Sequence, residues 1–84
     1  MYSILWENRA RKQLVRLPKK DRGNLFQAVT GLRRWPDCTG AKALKSHDYQ
    51  YRLRVGRYRV FFNVENEIKI IKIEEVKKRD ERTY

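Results

Sequence analysis

The chain has 84 residues, 40% of them hydrophobic and 12% aromatic, and its 21 Lys and Arg outnumber 10 Asp and Glu to give a formal charge of +11. That length predicts one domain, residues 1–84, with a small core, and the apolar content excludes a disordered chain. No apolar run reaches the roughly 20 residues of a membrane span, and the opening MYSILWENRA has none of the marks of a signal peptide, so the expectation is a cytoplasmic protein without a membrane partner.

Tyr2, Ile4 and Trp6 predict a short first strand, with Leu5 breaking the alternation. Asn8 then caps a predicted helix in which Ala10, Leu14 and Leu17 share a face, ended by Pro18. Asp21 opens a second helix. Its apolar stripe is Leu25, Ala28, Val29 and Leu32, and it stops after Trp35 at Pro36. Residues 36–40 read as a turn-rich loop, and Lys42 to Lys45 as a very short edge strand.

Beyond this point the period changes to two. Tyr51, Leu53 and Val55 alternate with Arg52 and Arg54; after Gly56, Tyr58, Val60, Phe62 and Val64 alternate with Arg57, Arg59 and Asn63. Glu65 and Asn66 form the next turn. Ile68 to Val76 is expected to be a strand buried on both faces, and residues 77–84, KKRDERTY, to leave the sheet as a charged tail. The predicted fold is α+β: an N-terminal strand and a two-helix hairpin on one face of a small, mostly antiparallel sheet, in the order β-α-α-(β)-β-β-β, the bracketed strand being the very short edge segment. Trp6 and Trp35 are expected to cap the core.

The charge is unevenly placed. Residues 1–34 carry nine basic and two acidic side chains, residues 49–64 carry four arginines and no acid, and residues 65–76 carry four glutamates and two lysines. Alternation puts Arg52 and Arg54 opposite the apolar side chains of their strand, with Arg59 able to join them across the hairpin. If the helices cover the apolar face, the arginines line the other, where guanidinium groups suit a phosphodiester. The alternative is a solvated face paired with cross-strand acids, weakened by the absence of acid from residues 49–64. The lone Cys38 has no disulfide partner and no metal or catalytic neighbour, so an inert thiol is expected. Gly-rich phosphate loops, paired-carboxylate sites and His/Cys metal clusters are missing from the sequence.

The stretch Tyr51-Arg52-Leu53-Arg54-Val55-Gly56-Arg57-Tyr58-Arg59-Val60-Phe61-Phe62, preceded by Lys42-Ala43-Leu44-Lys45, resembles the centre of RelE/ParE superfamily toxins. The ending from Val76 to Tyr84, with its Arg79 and terminal Tyr, resembles the RelE branch, and the likeness runs along nearly the whole chain. The resemblance implies the toxin of a type II toxin–antitoxin pair, neutralised by a small acidic antitoxin. It implies an endoribonuclease that enters the ribosomal A site and cleaves mRNA through attack of the 2′-hydroxyl on the adjacent phosphate, with no metal and no cofactor. Carried over by position, Arg59 stabilises charge on the phosphorane, and Arg79 holds the phosphate and helps protonate the leaving 5′ oxygen. Tyr84 orients the neighbouring base. Lys45 contacts RNA, as do Lys77 and Lys78 of the tail, and Arg52 and Arg54 occupy the paired basic positions.

Here the chain departs from the archetype, which has lysines at those paired positions. Guanidinium is effectively never deprotonated and makes a poor general base. Three routes are open: catalysis by positioning and charge neutralisation alone, a proton taken by His47 or Lys45, or weak activity. His47, the only histidine, lies in the loop before the arginine strand, where a surface role competes with an acid–base one. Phe61 is either a stacking platform or packed beneath the tail. A ParE-like gyrase inhibitor and a non-catalytic RNA-binding module are the competing functions.

Overall fold

The computed structural model describes residues 1–79. After β1 (Ser3–Trp6) come two helices, α1 (Asn8–Val15) and α2 (Lys19–Thr30), the second continued by a 3₁₀ turn at Gly31–Arg34. The strands β2 (Ala41–Ala43), β3 (Tyr51–Val55), β4 (Tyr58–Glu65) and β5 (Ile70–Lys78) follow. They form a five-stranded sheet in the order β1-β5-β4-β3-β2. Every pairing is antiparallel except β1 with β5, which is parallel. The α+β class and the element order are as the sequence predicts.

Both helices lie on one face. Ala10 and Leu14 of α1 and Leu25 and Val29 of α2 join Leu53, Val60, Phe62, Ile71, Ile73 and Val76 of the sheet in a single buried cluster. Trp35 meets Tyr51 and Phe62 edge-on at ring-centroid distances of 4.7 and 5.5 Å, and Trp6 stacks on Phe26 at 6.1 Å. Both tryptophans cap the cluster. The hydroxyl of Tyr58 donates to Asp21 Oδ2 at 2.7 Å, tying the start of α2 to the β3–β4 hairpin. Gly56 turns that hairpin at φ +57°, a conformation that costs glycine little.

Several boundaries differ from the sequence expectation. Glu7, with extended backbone angles, precedes α1, and Asn8 is its first helical residue, its side chain accepting from Arg11 instead of capping. The second helix starts at Lys19, directly after Pro18, whose fixed φ suits a helix entry. The last strand starts at Ile70 because Lys69 adopts φ +54° and breaks the extended run, leaving Ile68 exposed. That strand is not buried on both faces. Ile71, Ile73 and Val76 face the helices, while Lys72, Glu74 and Glu75 are half-buried on the other side. Nor does the chain leave the sheet at residue 77, since pairing with β4 continues through Lys78. Among the described residues, no helix is long and apolar enough to cross a membrane.

Phe62 is fully buried at the centre of the sheet. Phe62→Ala is expected to lower unfolding free energy by about 3–5 kcal/mol, read from urea melts. The hydrogen bond to Asp21, and then burial, hold the Tyr58 phenol above its ordinary pKa. Its neutral form therefore contributes stability that is complete below about pH 10 and lost as pH rises further. Tyr58→Phe should lower the thermal midpoint at neutral pH and flatten its fall above about pH 10.

Candidate active site

The uncovered face of the sheet is built by register. Arg52 of β3 lies between Lys42 of β2 and Phe61 of β4, and Arg54 lies opposite Arg59, which in turn faces Lys77 of β5. Directly opposed side chains on one face stand about 5 Å apart at Cβ. Two adjacent rows thus read Lys42–Arg52–Phe61–Glu75 and Arg54–Arg59–Lys77. Arg79 follows β5 and anchors its backbone by donating its N–H to the Arg57 carbonyl at 2.6 Å. It stands close enough to Arg52 to repel it, as do Arg54 and Arg59.

Among the described residues, none of Arg52, Arg54, Arg59 and Arg79 forms an ion pair; of the cations on this face Lys77 does, with Glu75 at 4.0 Å. Burial, followed by repulsion from Arg54, Arg59 and Arg79, pulls Arg52 below the ordinary guanidinium pKa. The Nε atoms of Arg52 and Arg59 are both buried and have no hydrogen-bond partner among the described residues. A buried N–H left unpaired costs free energy comparable to a lost hydrogen bond, and more when the donor is charged. Arg52 and Arg59 stand diagonally across the β3–β4 pair on one face, a placement that suits an anion with several acceptor oxygens.

One margin of the face is aromatic. Phe61 is only 7% exposed, covered by the loop that joins β2 to β3. The exposed His47 stacks on it at 5.2 Å between ring centres and 13° between planes, and Tyr49 leans on both. His47 Nδ1 accepts the Tyr49 N–H at 3.1 Å. The Tyr49 hydroxyl donates to Glu75 Oε1 at 3.1 Å, and Arg9 and Lys77 approach the same carboxylate. Burial and this bond raise the Tyr49 phenol above its ordinary pKa. A bulge in β5 opposite the Phe61–Phe62 step leaves Glu74 without a partner residue across the ladder. Its carboxylate accepts from Asn63 Nδ2 at 3.2 Å.

The structure therefore brings together Arg52, Arg54, Arg59, Arg79 and Lys77. His47 lies beside them on the ring of Phe61, and Lys45 is exposed in the same loop. Lys78 does not join the group: paired with Tyr58, it belongs to the helix-covered face at the end of the sheet. Tyr84 lies outside the described residues. Sequence reasoning passed over Lys42 and the Tyr49–Glu75 contact. The cross-strand pairing of Lys42 with Arg52 was detectable only with the register of β2, and the Glu75 contact spans 26 residues.

The sequence model of one family, the ParE toxin of type II toxin-antitoxin system, parDE, matches residues 4–83. No curated protein sequence matches significantly. Among solved structures, the chain is similar to the archaeal RelE–RelB complex from Pyrococcus horikoshii, with 28% identity over 98% of both chains and a TM-score of 0.79. It is also similar to the RelBE2 toxin–antitoxin complex from Mycobacterium tuberculosis, at 25% identity over 93% of this chain and 98% of the other, with a TM-score of 0.79. The isolated RelE toxin of E. coli, at 20% identity over 95% and 86%, shares the fold with a TM-score of 0.80.

A cation cluster that repels itself costs stability until an anion enters it. Arg52→Gln is expected to raise the thermal midpoint by a few degrees at low ionic strength. It should also reduce the stabilisation that inorganic phosphate gives the unmodified chain, both read from thermal melts across a phosphate series.

Proposed function

The chain belongs to the ParE toxin family of type II toxin–antitoxin systems, within the RelE/ParE superfamily, and from that premise we propose that it is a metal-independent endoribonuclease that cleaves mRNA in the ribosomal A site and so inhibits translation. The observation that carries this reading is the pair of buried Nε–H groups of Arg52 and Arg59, without a partner among the described residues, inside a cluster of cations. Guanidinium groups already gathered on one face lessen the reorganisation needed as negative charge builds on a phosphate held there.

In this reaction the 2′-oxygen forms a bond to phosphorus while the bond to the 5′-oxygen breaks; the 2′-hydroxyl gives up its proton and the 5′-oxygen gains one, leaving a 2′,3′-cyclic phosphate and a 5′-hydroxyl. Arg52 and Arg59 hold the equatorial oxygens of the phosphorane. Arg54 and Arg79 add positive charge around it, with Arg79 next to the leaving oxygen, and Lys42, Lys45 and Lys77 grip the flanking backbone. Tyr84 orients the adjacent base. The Nδ1 lone pair of His47 is engaged by the Tyr49 N–H, so the neutral ring carries its proton on Nε2 and donates there. This argues against His47 as the base. The route the site supports best is positioning and charge neutralisation, with the A site completing the geometry for proton transfer from the 2′-hydroxyl.

The partner is a small acidic antitoxin. Met1 and the half-exposed Phe26 border a groove on the helix side whose rim includes Arg33 and Arg34. An apolar floor with a basic rim suits an amphipathic acidic segment. The proposed place of action is the cytoplasm.

The family match itself favours a second reading, a ParE-like inhibitor of gyrase that acts by binding and not by catalysis. The two readings separate on induced expression without antitoxin. Cleavage predicts growth arrest with codon-phased cuts in transcripts, and a loss of about 10²–10³-fold in cutting rate for Arg59→Ala. Arrest with intact transcripts, double-strand DNA breaks and an SOS response would establish the gyrase reading instead. Salt-sensitive RNA binding without arrest would leave only an RNA-binding module.

A further inference from the structure

We infer that His47, mounted on Phe61 and steadied by Tyr49, is a stacking platform for one unpaired nucleobase of the RNA whose phosphate the arginines hold; this rests on the RNA-cleaving reading above. The column has Phe61 at its base, nearly buried in the sheet face, and His47 parallel above it at 5.2 Å. His47 is exposed, with Phe61 stacked on one side of its ring. An aromatic ring prefers an offset parallel partner, and every base offers one.

The histidine is held in place from several directions. Ser46, immediately before it, adopts φ +49°, a conformation that non-glycine residues seldom take and that turns the chain back over the sheet. The Tyr49 N–H fixes the ring through Nδ1. Glu75 accepts the Tyr49 hydroxyl, and so couples the loop to β5. A flat surface ring restrained in this way keeps little freedom to lose when a base lands on it.

Its position relative to the cations gives the platform its ligand. Phe61 is the direct cross-strand neighbour of Arg52, whose Nε–H is unpartnered. A nucleotide seated with its phosphate on Arg52 and Arg59 has its own or the adjacent base within reach of His47. The ligand class is thus a single-stranded ribonucleotide segment with one base turned out of its stack. Glu75 serves as a positioning residue through Tyr49.

The test measures binding without cleavage. A fluorescent RNA tetranucleotide carrying 2′-O-methyl sugars cannot undergo the reaction, and a companion set replaces each base in turn with an abasic residue. Anisotropy titrations at fixed salt compare the unmodified chain with His47→Ala and His47→Trp, with circular dichroism and thermal melts confirming the fold. The intact oligonucleotide is expected to bind His47→Ala about tenfold more weakly, and His47→Trp to restore the affinity. One abasic position should weaken binding to the unmodified chain by the same factor and abolish the difference between it and His47→Ala.

Equal affinities of the unmodified chain and His47→Ala for the intact oligonucleotide would overturn the platform while leaving the phosphate site standing. Equal weakening of intact and abasic oligonucleotides would also overturn it, since His47 would then act through charge or loop structure. Failure of the unmodified chain to bind any of the set would remove both the platform and the RNA reading. Loss of affinity for an antitoxin, with RNA affinity unchanged, would assign His47 to a protein interface and reject the platform.

Discussion

Like charges crowded on one face of a thin sheet are the constraint around which this molecule is organised. Arg52, Arg54, Arg59 and Arg79 gather where the fold supplies no carboxylate among the described residues to separate them. The arrangement costs stability in the free protein. It is sustained by the opposite face, where Phe62, Val60, Leu53, Ile71 and Ile73 pack against α1 and α2. Because side chains alternate strictly along β3 and β4, the apolar set and the cationic set are fixed by one register. A slip of a single residue would exchange them.

The acidic residues near this face are kept to its margin. Glu75 is taken up by Tyr49, Arg9 and Lys77, and Glu74 by Asn63, the latter pair reaching the surface through the bulge in β5. Bulges re-aim side chains where a regular ladder would point them elsewhere. Here the effect is a boundary: cations with free donors on one side, spent carboxylates and aromatic rings on the other. A fold shared with RelE toxins does not by itself decide the chemistry, since one scaffold carries unrelated activities. Among the described residues the Nε atoms of Arg52 and Arg59 lack a partner, which suits an anionic ligand on this face.

Much of the fold could be read locally. The spacing of Ala10, Leu14, Leu25 and Val29 specified two helices with one apolar side, and the alternation of arginines with Leu53, Val60 and Phe62 specified both faces of the hairpin. The features that escaped are those settled over long separations. The parallel pairing of Ser3–Trp6 with the last strand joins the two ends of the chain. The bulge at Glu74, and the continuation of β5 through Lys78, depend on how that strand follows β4 and not on its own hydropathy. The same continuation turned Lys78 to the helix side while leaving Lys77 beside Arg59. His47 gave no local sign of its place on Phe61, because the turn at Ser46 that carries it there uses an unusual backbone angle at an ordinary residue.

The proposed function requires Arg52 and Arg59 to share one phosphate through their Nε–H groups, and the arginine Nε–Hε signals, followed by nuclear magnetic resonance during titration with a 2′-deoxy dinucleotide, report this directly. The Arg52 and Arg59 signals are expected to move together, saturate at the same concentration and become protected from solvent exchange, while those of Arg33 and Arg34 stay in place. Movement of Arg33 and Arg34 with Arg52 and Arg59 unchanged would contradict that sharing.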